Sequence, residues 1–386
     1  MRPMRDVPLF DHDSPVRLAG VLGAEHGAHG RLLSRLSAAA RTQIIDPQLL
    51  FTASMPSGGR LELTTDATAI EIELVATQLA WGDEPARTSV VDLAVDGALD
   101  TAVLEGGPVR RVIDRVTGDY EIIPGRASTA RFDGLPPGPK HVEVWLPHNA
   151  AVELIALRVD DAASVTPPVT AERRRWVHYG SSISHCAEAL RPTGVWPVLV
   201  ARRRGLDLTS LAIAGQAQLD QFAARTVRDL APDLISLKVG INIVNADSMR
   251  ERAFVPAVHG FLDTIRDGLP EVPILLVTPI ICPVVEQHPG PTRSEVAGSM
   301  YVVDRPAPLE PGALTLERIR ELLTTVVRSR QAAGDANLHL RSGLDLFGTA
   351  DVGDLPDGLH PSPAGYLTIA DRFDALAFGE GGPFAA

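Results

Sequence analysis

Near residue 170 the hydrophobic rhythm of this chain changes, and that change limits the folds open to it more than any single motif does. From Arg60 to Asp160 apolar and polar residues alternate in short runs: RLELTT (60–65), AIEIELVAT (69–77), SVVDLAVDG (89–97), KHVEVWLP (140–147) and AVELIALRVD (151–160). A period of two gives each strand one apolar and one polar face, as antiparallel sheets with a solvated side require. Turn chemistry separates the runs, as at Asp96-Gly97 and at Asp133-Gly134 before Leu-Pro-Pro-Gly-Pro. The pattern predicts an all-β sandwich, jelly-roll-like, over residues 1–170. Ahead of these strands GRLLSRLSAAARTQI (30–44) reads as a short helix.

Pro167-Pro168 breaks the alternation, and beyond it strand-like runs alternate with helical ones. The strands are RRWVHY (174–179), DLTSLAI (207–213), LISLKV (234–239), PILLVT (273–278) and NLHLRS (337–342). Helices are predicted from Val195 to Arg204 with Gly205 as the stop, from Leu219 to Leu230 before Pro232, and from Ser248 to Leu269. Two more are predicted, one from Leu316 to Ala333 with Thr315 as N-cap and Gly334 as stop, and one after Pro363. Five strands with intervening helices predict a parallel sheet in a three-layer α/β/α domain over residues 171–386. The connection from Ile280 to Gly312, rich in Pro and Gly, is too long for an ordinary link and is expected to be a lid or pocket wall.

A net charge of -12 argues against a nucleic-acid partner, since phosphate binding needs a basic surface. The amino terminus, MRPMRDVPLFDHDSP, lacks the apolar core of a secretory signal, and no run reaches the roughly 18 apolar residues of a membrane span. A cytoplasmic protein without a membrane partner is therefore expected. Cys186 and Cys282 form no CxxC pair and are expected to be reduced thiols. No His or carboxylate spacing resembles a metal site, so no metal is expected.

In an open α/β sheet ligands bind beyond the carboxyl ends of the strands, so the residues just past each strand matter most. After the first come Gly180 and Ser182 in WVHYGSSISHCA; after the second, Gly215 in LAIAGQAQ; after the third, Gly240 and Asn242 in KVGINIVN. Near the carboxyl terminus DLPDGLHPSPAGY places Asp357 three residues before His360. A serine hydroxyl needs a base to become a nucleophile, and an imidazole base needs a carboxylate to fix its tautomer. Each piece alone has a plainer reading: Gly-Ser-Ser as a helix cap, the glycines as turns, Asp-x-x-His as chance. Their order along the sheet edge favours the chemical one. Beside them His178 and Tyr301 are candidates for touching substrate, with His288 and Arg293 also in reach of that role.

With blocks YGSSIS, AGQAQ, GIN and DGLHPS, residues 172–378 resemble the SGNH or GDSL-type serine hydrolases. The resemblance implies Ser182 as nucleophile, Asp357 and His360 as its partners, and an oxyanion hole from Ser182, Gly215 and Asn242. The family's usual Gly-Asp-Ser is here Gly180-Ser181-Ser182, and Ile243 stands where Asp often follows Asn. The preceding β domain is similar in architecture to that of two-domain SGNH esterases acting on carbohydrates. The whole chain also resembles GDSL-type acyltransferases that decorate aromatic polyketides. These resemblances imply transfer of an acyl group, an aryl acyl group included, from acyl-CoA as co-substrate to a polyketide hydroxyl, with no other cofactor. Hydrolysis of carboxylic esters is the alternative, and a non-catalytic carbohydrate-binding protein is the alternative of another class.

Overall fold

Each alternating run of the first half becomes a strand: Arg60–Thr65, Ala69–Trp81, Val90–Val95, Lys140–Trp145 and Ala151–Asp160. In the computed structural model, which describes residues 3–82, 85–114, 117–169, 172–295, 298–306 and 309–385, they fall into two sheets of eight and six strands. Leu61, Leu63, Leu93 and Val144 of the smaller sheet share one core with Ile70, Ile72, Leu74 and Val152 of the larger. Full burial of such a side chain stabilises the fold by about 1.5–3 kcal/mol, so these inward faces hold the sandwich together. The predicted helix at 30–44 is corrected in part. Arg31–Ser34 is a strand paired with Ala151–Asp160, and only Ala38–Arg41 is helical, capped by Ser37. Pairing with a neighbouring strand outweighs local helix preference there.

The chain divides into one unit of Met1–Arg173 with Leu190–Val195 and another of Arg174–Ala189 with Trp196–Ala386. Residues 170 and 171, where the boundary is expected, lie outside the described residues. One correction to the expected division concerns Leu190–Val195, which belongs to the first unit although it follows the YGSSIS block. The carboxylate of Asp92, fully buried, accepts from Thr193 N (2.9 Å) and Thr193 Oγ1 (2.6 Å) on one oxygen and from Thr101 Oγ1 (2.6 Å) on the other.

The second unit holds a five-stranded sheet in the order Asp207–Ala212, Arg175–Gly180, Leu234–Lys238, Ile274–Val277, Leu338–Arg341, parallel throughout. Helices cover both faces. On one, Trp176 stacks on Phe373 of helix Pro363–Phe378 at 5.5 Å; on the other, Tyr179 meets Phe261 of helix Glu251–Arg266 at 5.1 Å. Helix Leu316–Ala332 buries Leu316, Ile319, Leu323 and Val327, the spacing of one helical face. Among the described residues no helix is long and apolar enough to cross a membrane.

The long connection is more ordered than a bare loop. It carries an antiparallel hairpin, Thr292–Ser294 with Met300–Val302, and Arg305 reaches from beyond it to Asp247 (2.7 Å). Gly180 lies in register with Ala212 on one side and Lys238 on the other. The carboxyl ends of the three strands are therefore level, and the segments leaving them share one edge.

Candidate active site

Strand Arg175–Gly180 gives way at once to the four-residue helix Ser182–His185, with Ser181 as N-cap. The Ser181 carbonyl accepts from the N–H of Ser184 and of His185, both at 3.0 Å, which turns the chain sharply. Ser181 and Ser184 are thereby buried, whereas Ser182 is half-buried at the edge. Among the described residues neither Ser181 Oγ nor Ser184 Oγ has a hydrogen-bond partner.

Ser182 Oγ lies 2.9 Å from His360 Nε2, and His360 Nδ1 lies 2.6 Å from Asp357 Oδ2. With the Nδ1 proton donated to Asp357, Nε2 is left to accept from the serine hydroxyl. The turn is built to hold this: Asp357 Oδ1 accepts from Leu359 N (2.9 Å) and His360 N (2.7 Å), so one carboxylate fixes both the backbone and the ring. Burial alone would raise the Asp357 carboxyl. The hydrogen bond and charge of His360, with the two backbone N–H groups, outweigh it and hold the group below the usual 3.8.

Gly215 occupies the turn after strand Asp207–Ala212 at φ +72°, a conformation that favours glycine. Asn242, buried, sits in the short helix Ile241–Ala246, which starts at Gly240. Gly240 has φ +121°, and a Cβ there would lie 2.6 Å from Ile319 Cγ2, so a side chain fits neither the backbone nor the space. Asn242 Oδ1 accepts from Ala217 N at 3.0 Å, which fixes the amide with its Nδ2 donor turned the other way. Ser182, Gly215 and Asn242 follow two, three and four residues after the level positions Gly180, Ala212 and Lys238. The edge thus combines a hydroxyl paired to an imidazole with backbone and amide donors, the parts that acyl transfer through a serine requires.

His178 does not belong to this edge, contrary to the expectation that it touches substrate. Its side chain is fully buried within the sheet, packed edge-on against Trp196 at 4.9 Å, with Nδ1 2.7 Å from Ser236 Oγ. Burial, then the charge of Lys238, lowers its pKa to about 3 despite the contact with Ser236, so the ring is neutral. Tyr301 stands exposed on the hairpin, across from Arg293, and the N–H of its neighbour Met300 donates to Asp357 O at 3.0 Å. Arg293 and His288 are also exposed. Cys186 and Cys282 are buried free thiols; Cys282 Sγ donates to Gly358 O at 3.4 Å, inside the Asp357–His360 turn.

Sequence reasoning missed a second tie between the same two segments. Buried Tyr366 donates its hydroxyl to Glu188 at 2.8 Å, bridging the helix after His360 to the chain after Ser182. The tyrosine in DGLHPSPAGY was visible, but nothing in the spacing marked Glu188 as its partner. Among the described residues no group of three or more His, Cys, Asp or Glu side chains is placed to hold a metal ion.

Residues 178–367 match the GDSL-like lipase/acylhydrolase family. Among solved structures, the chain is similar to the salicylyl-acyltransferase SsfX3 from a tetracycline biosynthetic pathway. The two are 26% identical with a TM-score of 0.77, over 96% of this chain and 95% of that one. A family two carbohydrate esterase from Clostridium thermocellum, solved with cellohexaose, is 15% identical with a TM-score of 0.56 over 84% of this chain and 93% of its own. An acetyl xylan esterase from Butyrivibrio proteoclasticus is 14% identical with a TM-score of 0.56, over 99% and 100%. These last two share the fold, including the β domain ahead of the α/β domain. No match was found among curated protein sequences.

Proposed function

From residue 178 to residue 367 the chain belongs to the GDSL/SGNH lipase-acylhydrolase family, and on that premise we propose that it is a serine acyltransferase working through an acyl-enzyme. The observation that carries this reading is the unbroken relay from Ser182 Oγ through His360 to Asp357, at 2.9 and 2.6 Å. Ser182 Oγ attacks the carbonyl carbon of an acyl-CoA thioester while its proton passes to His360 Nε2. The oxyanion is held by the N–H of Ser182, the N–H of Gly215 and the Asn242 amide. The carbon–sulfur bond then breaks, and His360 returns the proton to the departing thiolate. In the second half an acceptor hydroxyl gives its proton to His360 as its oxygen takes the acyl group, the bond from Ser182 Oγ to the acyl carbon breaks, and His360 returns the proton to Ser182 Oγ.

A polyketide hydroxyl as acceptor and an aryl acyl group as cargo are supported by similarity to the salicylyl-acyltransferase along nearly the whole chain. Acyl-CoA thioesters are intracellular metabolites, so the proposed donor goes with a cytoplasmic location. The chemistry as written needs no metal or further cofactor. Hydrolysis is the second reading, favoured by the motif itself, because water can take the acceptor's place at the same acyl-enzyme.

Two measurements test this. A fluorophosphonate should modify Ser182, and an intact chain that stays unmodified there would return the protein to a purely binding role. Acyl-CoA should be consumed faster in the presence of a polyketide alcohol, with the ester as product. Hydrolysis indifferent to any acceptor would make the enzyme an esterase.

A further inference from the structure

Gly215 and Asn242 lie on different elements, so the gap between their donors depends on what ties the 213–219 turn to helix Ile241–Ala246. Two consecutive residues make that tie, and the next one anchors the turn to strand Arg175–Gly180. Ala217 N donates to Asn242 Oδ1 at 3.0 Å, Gln218 Nε2 donates to Asn242 O at 3.1 Å, and Leu219 N donates to the buried hydroxyl of Tyr179 at 3.2 Å. The Gln218 carboxamide cannot flip without loss, because Ser248 Oγ donates to its Oε1 at 2.6 Å. Gln218 is half-buried, and its side chain is the one among these contacts that grips the backbone of the Asn242 residue itself.

We infer that Gln218 is a positioning residue that sets the spacing of the oxyanion donors Gly215 and Asn242; the inference rests on their assignment as oxyanion donors. A carboxamide suits the task because it donates to the Asn242 carbonyl while accepting from Ser248. A carboxylate would face that carbonyl with a second acceptor, and an apolar chain of the same length would give up both contacts, leaving the exposed Ser248 hydroxyl to water and the Asn242 carbonyl without its tie to the turn. Misplacing a donor by a fraction of an ångström weakens the developing-charge interaction and leaves ground-state binding nearly intact.

The test uses the full chain and a fluorophosphonate, which needs no knowledge of the natural acyl group. Gln218→Met keeps the length and volume of the side chain. It should lower the inactivation rate constant at saturation by about tenfold, with the half-saturating concentration within about twofold of wild type. The same substitution placed in an Asn242→Ala background should cost less than about twofold, because the donor it positions is gone. A full tenfold loss in both backgrounds, or none in the wild-type background, overturns the positioning role. If Asn242→Ala alone leaves inactivation unchanged, the oxyanion assignment fails first and is separately recognised. Thermal midpoints of the variants establish that each is folded, and Gln218→Glu should be slower than Gln218→Met.

Discussion

His178 and His360 belong to the same unit, yet one is a packing residue and the other a base. His178 is walled in by Trp176 and Trp196 with Ser236 as its polar contact. His360 stands half-exposed in a turn, with a carboxylate at one nitrogen and a hydroxyl at the other. The difference lies in what faces the ring. Two residues of strand, from His178 to Gly180, carry the chain from a dry interior to an edge where proton transfer can be used.

The comparison can be broken most severely at the edge. Ser182→Ala should reduce acyl transfer by roughly 10⁴-fold or more with substrate binding retained, as read by single-turnover kinetics and equilibrium titration. Asp357→Asn should follow at roughly 10⁴-fold, through loss of the correct His360 tautomer, without unfolding the chain. Near wild-type turnover in either would refute the relay. Asn242→Ala should cost about 10²–10³-fold in turnover, the range for one oxyanion donor.

In the interior the expected effect changes kind. His178→Leu should alter turnover less than about threefold and show itself in the pH dependence of stability. The folded pKa of His178 is about 3 against 6.5 for the free ring, so the unfolded chain binds more protons between those values. Stability from this residue is complete above 6.5 and declines as pH falls toward 3, with a limiting slope of about 1.4 kcal/mol per pH unit. Thermal midpoints of the wild type should therefore drop more steeply from pH 6.5 to 4 than those of His178→Leu. Parallel curves would mean that the ring is protonated in the folded state. The smallest effect belongs to the hairpin: Tyr301→Ala should raise KM a few-fold and leave kcat nearly unchanged, while unchanged kinetics would remove Tyr301 from the substrate surface.

The site was legible because its parts follow strands in a fixed order, and strands with period two or continuous apolar runs announce themselves. The relay from Ser182 to Asp357 needs only that His360 be brought to the same edge, and the helix that follows it, Pro363–Phe378, stacks Phe373 on Trp176 of the strand that leads to Ser182. Less legible was anything decided by a neighbour distant in sequence. Arg31–Ser34 is extended because Ala151–Asp160 lies beside it, and His178 is inert because Trp196 of helix Trp196–Arg204 and Trp176 of its own strand close over it. Ser181, which stands where the family usually has Asp, caps the short helix through its backbone and leaves its hydroxyl buried without a partner among the described residues. A carboxylate in that buried position would need partners that Ser181 does without.

The six residues Leu190–Val195 give the gene a property that a list of domains would not. The chain changes unit after Arg173, again after Ala189 and again after Val195, so neither unit is a single uninterrupted stretch. A recombination event that exchanged the β region at residue 173 would import a sandwich lacking Thr193 and leave the native segment, with its threonine, severed from the aspartate it serves. Asp92 and Thr193 must be inherited together, and the two halves of this protein are expected to evolve as one lineage and not as interchangeable cassettes.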